Sequence, residues 1–117
     1  MSKTFASYLN SVRTKNVNRT IFSHVNINSI FNNFELLADA VTGSLDALLI
    51  SETKTDANFT NAQFHLEVFT PPYRLDKKMI GGGTFLYIRK EIPSKEVKNI
   101  TVGIKGFIVE INIRKKK

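Results

Sequence analysis

A short apolar run at residues 48–50, followed two residues later by Glu52, constrains the fold of this chain most strongly. Consecutive leucine and isoleucine residues are typical of a strand buried on both faces, as in a parallel sheet. An ionised carboxylate cannot lie inside such a strand without a partner, because burying an unpaired charge is costly. We therefore expect Glu52 at the carboxyl end of the strand, which in open α/β sheets is the edge where ligands bind. A solvated glutamate at the start of a loop is the simpler alternative.

A strand, an amphipathic helix and a second strand are predicted between residues 20 and 51. Residues 20–26 are rich in β-branched and aromatic side chains and predict a strand that ends at Asn26. The two strands of a βαβ unit run parallel, so Asn26, Asn28 and Glu52 should meet at one sheet edge. The helix is predicted from its apolar stripe and end signals: Ile30, Phe34, Leu37 and Val41, with Asn28 or Ser29 as N-cap and Gly43 after the end.

The rest of the chain predicts a short helix near the start and several further strands. Residues 64–68 alternate between apolar and polar side chains as a half-buried strand does, and two prolines follow. A loop is expected at 73–83, strands at 84–89 and within 96–104, and the clearest alternation at 107–114. The fold class is therefore α/β, with the βαβ unit followed by mainly antiparallel strands. The three glycines at 81–83 favour a turn with close backbone approach over a phosphate-binding loop, because no helix follows them.

The net charge of +7 is concentrated at the two ends of the sequence. Residues 1–19 carry four basic and no acidic side chains, and residues 114–117 carry four more basic ones. Such ends can attract DNA loosely, although solvated tails are the simpler interpretation. The absence of cysteine excludes disulfides. Because no apolar run is long enough to span a bilayer and no secretory signal is evident, we expect no membrane and an intracellular location, cytoplasmic or nuclear.

Few side chains offer catalytic or metal-binding chemistry. His24 and His65 lack a second ligand at a metal-binding offset, so we interpret both as structural. No nucleophile elbow is present for serine hydrolase chemistry. The predicted sheet edge leaves an all-oxygen set of Asn26, Asn28 and Glu52, which suits a hard cation such as Mg²⁺. One carboxylate alone should bind that ion weakly.

Three segments resemble successive motifs of the endonuclease/exonuclease/phosphatase family. They are Val-Asn-Ile-Asn-Ser-Ile at 25–30, Leu-Ile-Ser-Glu-Thr-Lys at 49–54 and Gly-Gly-Gly-Thr-Phe-Leu-Tyr-Ile-Arg at 81–89. Their spacing and the intervening Pro-Pro-Tyr-Arg-Leu-Asp at 71–76 are also similar. The variant most like this chain is the apurinic-endonuclease-like domain of LINE-type, non-long-terminal-repeat retrotransposons, and the resemblance covers residues 20–114.

The resemblance implies a DNase I-like α/β sandwich that hydrolyses DNA phosphodiesters with Mg²⁺. It implies that Asn26 orients the scissile phosphate and the catalytic shell, and that Glu52 is the Mg²⁺ ligand. Asn28 falls where some apurinic endonucleases have an aspartate, so it is an additional candidate metal ligand.

The family's later motifs do not occur in these 117 residues, which contain neither Gly-Asp-Phe-Asn nor Ser-Asp-His. We therefore expect an N-terminal half-domain at 20–114, with basic segments at 1–19 and 115–117, that does not cleave DNA by itself. Two alternatives stay open. One is a non-catalytic nucleic-acid-binding or interaction module that uses the basic tails and an exposed sheet edge, and the other is a non-functional remnant of a decayed element. For the half-domain we also expect self-association through an exposed sheet edge.

Overall fold

Two helices, a short 3₁₀ helix and six strands make up the described part of this computed structural model, which comprises residues 4–41, 45–76, 82–100 and 106–112. Gly43, Gly81 and the charged ends at 1–3 and 113–117 lie outside those residues, as does the segment 101–105. In chain order the elements are α1 Phe5–Lys15, β1 Phe22–Asn26, α2 Ile30–Val41, β2 Ala47–Ser51, the 3₁₀ helix Asn61–Phe64, β3 Tyr73–Leu75, β4 Thr84–Ile88, β5 Ser94–Ile100 and β6 Gly106–Ile111.

Four of the strands form one mixed sheet in the order β1-β2-β4-β3. β1 and β2 are parallel neighbours joined by α2, with Asn26 paired to Ser51. β4 runs antiparallel to both β2 and β3, and β5 pairs with β6 in a separate antiparallel ladder. The α/β class, the βαβ unit and the antiparallel strands after it are therefore confirmed.

The core lies on the face of this sheet that the helices cover. Leu48 and Ile50 point to that face from β2 and are fully buried, as are Phe85 and Tyr87 from β4. The predicted stripe of α2 packs against them through Ile30, Leu37 and Val41, with Phe34 partly buried. Side chains of one apolar cluster thus fix how α2 lies on the sheet.

The prediction that β2 is buried on both faces is wrong. Leu49 points away from the core and is 39% exposed. On the same face of neighbouring β1, Phe22, His24 and Asn26 are all exposed. We call this second side of the sheet, on which those residues lie, the open face.

The prediction of a strand at residues 64–68 is also wrong. Phe64 ends a 3₁₀ helix, and Val68 has a left-handed backbone with φ of 65°, which a continuous strand does not allow. The alternation of burial is nevertheless real, because the segment runs over the core and inserts Phe64 and Leu66 into it. Only Phe69 forms a β-bridge, with Arg89. Aromatic contacts replace strand pairing, since the Phe64 ring lies 5.6 Å from that of Phe85.

The loop predicted at 73–83 contains strand β3, whose central residue Arg74 fixes the preceding segment. The guanidinium of Arg74 donates to the carbonyls of Asp56 and Phe59, at 3.1 and 2.8 Å. It also forms an ion pair with Asp76 at 2.9 Å, and its central carbon lies 5.1 Å from the centre of the Phe85 ring. Arg74 therefore ties the 56–61 loop to the sheet by contacts that no sequence periodicity reveals.

The start of the described chain is more ordered than the solvated-tail interpretation requires. Thr4 caps α1 by accepting a hydrogen bond from Ser7 N, and Leu9 is buried. Arg13 forms an ion pair with Asp46 at 2.8 Å, and the same carboxylate accepts from Ile21 N. One of the basic side chains counted at this end is therefore neutralised within the fold.

Tyr87 is expected to make the free energy of unfolding depend on pH above 10. Its buried hydroxyl donates to the Phe64 carbonyl at 2.6 Å, and burial raises its pKa well above the ordinary value of 10.0. The unfolded chain ionises first, so this contribution is complete below pH 10 and is lost as pH rises from there toward the folded pKa.

Tyr87→Phe should lower the free energy of unfolding by about 1–2 kcal/mol at pH 7, because it leaves a buried carbonyl unpaired. The difference from the natural chain should shrink above pH 10, as measured by urea unfolding at pH 7 to 11. Tyr8→Phe, at a residue 57% exposed, is the control for the pH dependence and should leave that dependence unchanged. A pH-independent difference for Tyr87→Phe would contradict the assignment.

Candidate functional site

The ends of β1 and β2 form one edge, because the strands are parallel and adjacent. Main-chain hydrogen bonds continue the pairing beyond the strands: Ser29 N donates to Glu52 O at 2.8 Å and Ile30 N donates to Thr53 O at 3.0 Å. On the other side, Lys54 N donates to Gly82 O at 2.8 Å. We call this surface, made of residues 26–30, 52–54, 82 and 83, the carboxyl edge.

Left-handed backbone conformations are concentrated at the carboxyl edge. Of the five non-glycine residues with positive φ in the described chain, four lie here: Asn28 at 48°, Ser29 at 86°, Glu52 at 57° and Lys54 at 58°. Gly82 and Gly83 also have positive φ, of 80° and 93°. Each such residue other than glycine and asparagine costs on the order of 1–2 kcal/mol, and these conformations cluster at functional sites. The carboxyl edge is therefore the strongest site candidate on geometric grounds.

The loop between β1 and α2 is organised by two side chains at the start of the helix. Ser29 Oγ accepts from Asn32 N at 3.3 Å, so Ser29 rather than Asn28 caps α2. Asn33 Nδ2 donates to the carbonyls of Ile27, Asn28 and Ser29 at 3.1 to 3.3 Å. Sequence reasoning missed Asn33, because it lies off the apolar stripe and looks like a solvated helix residue.

Glu52 is half-buried and faces the segment before β4. Its Oε2 accepts from Gly82 N at 3.1 Å. Within the described residues, no hydrogen bond reaches the other carboxylate oxygen, Oε1. Gly83 makes this arrangement possible, because a Cβ at that position would lie 2.4 Å from Thr53 Oγ1. The predicted close backbone approach at the glycines is thus confirmed for Gly83.

The two asparagines use their side-chain oxygens within the carboxyl edge. Asn26 Oδ1 accepts from Asn28 N at 3.2 Å, and Asn28 Oδ1 accepts from the Lys54 ammonium. Across the described chain, no hydrogen bond joins the Glu52 carboxylate to either asparagine side chain. The structure therefore brings the three predicted residues to one edge but directs their side-chain oxygens to different partners.

These contacts limit the fit of Mg²⁺. In the described ranges no group of three or more histidine, aspartate and glutamate side chains could hold a metal ion. Glu52 offers one carboxylate oxygen, and the Asn28 oxygen lies beside a positive charge. The residues present thus fit a divalent ion held weakly at Glu52, without an oxygen from Asn28.

Comparisons with protein-family models, curated proteins and solved structures found no match. Among the described helices, none is long and apolar enough to cross a membrane.

Among the described residues, neither histidine forms a hydrogen bond with the Glu52 carboxylate. His24 is on β1, and its Nε2 forms a hydrogen bond of 2.9 Å with Ser51 Oγ, which ties the neighbouring strands together. His65 is exposed in the turn after the 3₁₀ helix, not on a strand as predicted. The contact of His24 agrees with a structural role.

Proposed function

We propose that the carboxyl edge is part of a Mg²⁺-dependent phosphodiesterase site of the endonuclease/exonuclease/phosphatase type, in a DNase I-like domain of the kind found in LINE-type retrotransposons. The observation that carries the proposal is the meeting of Asn26 and Glu52 at the ends of adjacent parallel strands. Those strand ends carry two of the motifs on which the resemblance depends. The left-handed residues around them support it, because such strain is uncommon outside sites that use it.

In this proposal Glu52 holds the cation, and Asn26 turns its amide nitrogen toward the phosphate of a DNA strand. The Asn26 oxygen is occupied by Asn28 N, which leaves the nitrogen as the outward donor. Bound Mg²⁺ supplies positive charge to the phosphate oxygens and lowers the pKa of a coordinated water. This chain's own contribution is to hold the ion and to orient the phosphate.

We do not expect these residues to cleave DNA unaided. Hydrolysis needs a group that activates the attacking water, and losing such a group costs orders of magnitude in rate. At the carboxyl edge Glu52 is the only described carboxylate, and it is assigned to the ion. The 117 residues also lack the Gly-Asp-Phe-Asn and Ser-Asp-His motifs that supply this chemistry in the family.

Mg²⁺ or Mn²⁺ should bind with a dissociation constant on the order of 10⁻³ M, in the range of weak carboxylate sites. Glu52→Gln should weaken the binding at least about tenfold, because it removes the one carboxylate ligand. The measurement is Mn²⁺-induced broadening of backbone amide signals near residues 26–30 and 52–54. Glu67→Gln, an exposed residue near the opposite end of the sheet, is the matched control and should leave Mn²⁺ binding unchanged.

Plasmid DNA incubated with the protein in Mg²⁺ should stay intact. Cleavage that disappears in Glu52→Ala would contradict the expectation that these residues do not cleave DNA unaided.

The second candidate is an interaction module that associates with copies of itself, and the open face favours it. Phe22 is 55% exposed on β1, an edge strand, and Leu49 beside it is 39% exposed. Val97 and Ile108 on the separate β5-β6 ladder are 53% and 55% exposed. Unpaired strand edges and apolar patches of this kind promote association.

Self-association should increase with salt, because salt screens the repulsion between basic molecules over about 10 Å at 0.1 M. Phe22→Thr should reduce it, and Phe31→Thr, at a residue 60% exposed on α2, serves as the control. Sedimentation velocity at rising ionic strength measures both. A compact monomer at every salt concentration would remove this candidate, whereas DNA binding without cleavage that weakens with salt would favour a nucleic-acid-binding module.

A further inference from the structure

We infer that Lys54 and Asn28 form a subsite for a phosphate oxyanion, in which Asn28 presents its amide nitrogen to the anion and gives no oxygen to a metal. The inference rests on the proposed function and deepens it, because it separates the phosphate-binding side of the carboxyl edge from the cation-binding side. The first side is Lys54 and Asn28 together with the neighbouring Asn26, and the second is Glu52.

The chemistry of the two side chains fixes the direction of the amide. A lysine ammonium only donates hydrogen bonds, so the end of the Asn28 amide that faces it must be the oxygen. The planar amide then directs Nδ2 away from Lys54. Asn28 is exposed, and among the described residues Nδ2 has no hydrogen-bond partner. An N–H donor therefore points outward beside an ammonium group that retains two further donors.

Hydrogen bonds to their main-chain atoms hold both residues in place. Asn28 N donates to Asn26 Oδ1 at 3.2 Å, and Asn28 O accepts from Asn33 Nδ2 at 3.3 Å. Asparagine tolerates the left-handed backbone found here better than most residues. Lys54 is fixed by its own backbone bond to Gly82 O at 2.8 Å. The pair is thus preorganised by contacts that do not depend on a ligand.

Electrostatics favours an anion over a cation at this point. A divalent ion bound to Asn28 Oδ1 would lie next to the Lys54 ammonium, and like charges at such separations repel. A phosphate oxygen would gain a charge-assisted hydrogen bond from Lys54 and a second bond from Asn28 Nδ2. The sequence interpretation of Asn28 as an additional metal ligand therefore conflicts with its observed partner.

The experiment titrates two probes, inorganic phosphate and dimethyl phosphate, without metal, and follows backbone amide shifts of residues 26–30 and 54. Lys54→Met should weaken phosphate binding about tenfold, because it removes the charged donor. Lys90→Met is the control: it removes one exposed lysine at the opposite end of the sheet and should leave binding unchanged. Binding of dimethyl phosphate supports a phosphodiester backbone as the ligand, and binding of inorganic phosphate alone supports free phosphate.

Asn28→Asp separates the two assignments, because aspartate keeps the size and backbone preference of asparagine but replaces the outward donor with an oxygen. We expect phosphate binding to weaken about tenfold and Mn²⁺ binding to strengthen about tenfold. Unchanged phosphate titrations in both Lys54→Met and Asn28→Asp would overturn the inference. Glu52→Gln distinguishes a failure of the proposed function from a failure of this inference. Mn²⁺ binding that survives Glu52→Gln would contradict the proposed function. The phosphate titration without metal tests the roles of Lys54 and Asn28 independently of the cation.

Discussion

Arg74→Met is expected to lower the free energy of unfolding by about 3 kcal/mol, one of the two largest effects we predict. The substitution keeps most of the aliphatic volume but removes the guanidinium. The carbonyls of Asp56 and Phe59 lose their donor, and the Asp76 carboxylate loses its ion-pair partner. The Arg74 and Asp76 side chains are only 14% and 29% exposed, so water compensates these losses poorly.

Arg89→Met is the matched control for this prediction. Arg89 also pairs with an acidic residue two positions away, at 2.7 Å from Glu91, but Glu91 is 64% exposed. The Arg89 guanidinium holds the pKa of the Glu91 carboxyl below its usual range. The Arg89 side chain is 19% exposed and its Nη1 also donates to the Leu45 carbonyl, at a long 3.4 Å, but a pair with so exposed a carboxylate contributes less than about 1 kcal/mol. Urea unfolding of both variants gives the comparison. Equal losses would mean that the contacts of Arg74 with the 56–61 loop do not contribute to the free energy of unfolding.

Gly83→Ala is expected to cost about 3 kcal/mol, from two separable causes. The added Cβ would lie 2.4 Å from Thr53 Oγ1 and 3.3 Å from Lys54 N, and Thr53 is fully buried. The backbone at Gly83 also has φ of 93°, which L side chains rarely adopt. Thr53 must shift to admit the methyl group, which should also disturb the Glu52 and Lys54 backbones on either side of it.

Gly82→Ala isolates the backbone cause. Gly82 has φ of 80°, but a Cβ there would meet nothing within 4 Å. We expect a loss of about 1 kcal/mol. Thermal and urea unfolding measure both, and Mn²⁺ broadening reports whether the carboxyl edge survives. A Gly83→Ala protein as stable as Gly82→Ala would show that Thr53 and its loop move to admit the methyl group without a loss in the free energy of unfolding.

Hydrophobic periodicity correctly predicted α2 and the two strands that flank it, because their side-chain patterns repeat along the sequence. The strands around α2 and their parallel pairing followed from apolar patterns, because a helix stripe and two short strands leave few other arrangements. The 64–68 segment failed for a physical reason: a chain that crosses a core at an angle also alternates buried and exposed side chains without pairing as a strand. β3 was missed because Arg74 and its partners hold it, and such contacts join residues distant in sequence.

At the carboxyl edge the sequence predicted which residues lie together but not which hydrogen bonds their side chains form. Parallel strands bring Asn26, Asn28 and Glu52 together, as expected from the βαβ pattern. The bond between Lys54 and Asn28 could not be predicted, since it requires left-handed turns at both residues. Those turns leave no periodic signal, although asparagine at position 28 is compatible with one.

The hydrogen bonds that join residues 29 to 52, 30 to 53 and 54 to 82 have a consequence for protein engineering. They make three loops from distant parts of the sequence into one interlocked unit, whose shape is specified by the main chain more than by side chains. Copying Asn26, Asn28 and Glu52 onto the strand ends of another α/β scaffold would therefore transfer the residue types without their arrangement. A transplant would have to carry the turns themselves, including the glycine pair before β4. Lengthening any one of the three loops should displace the other two.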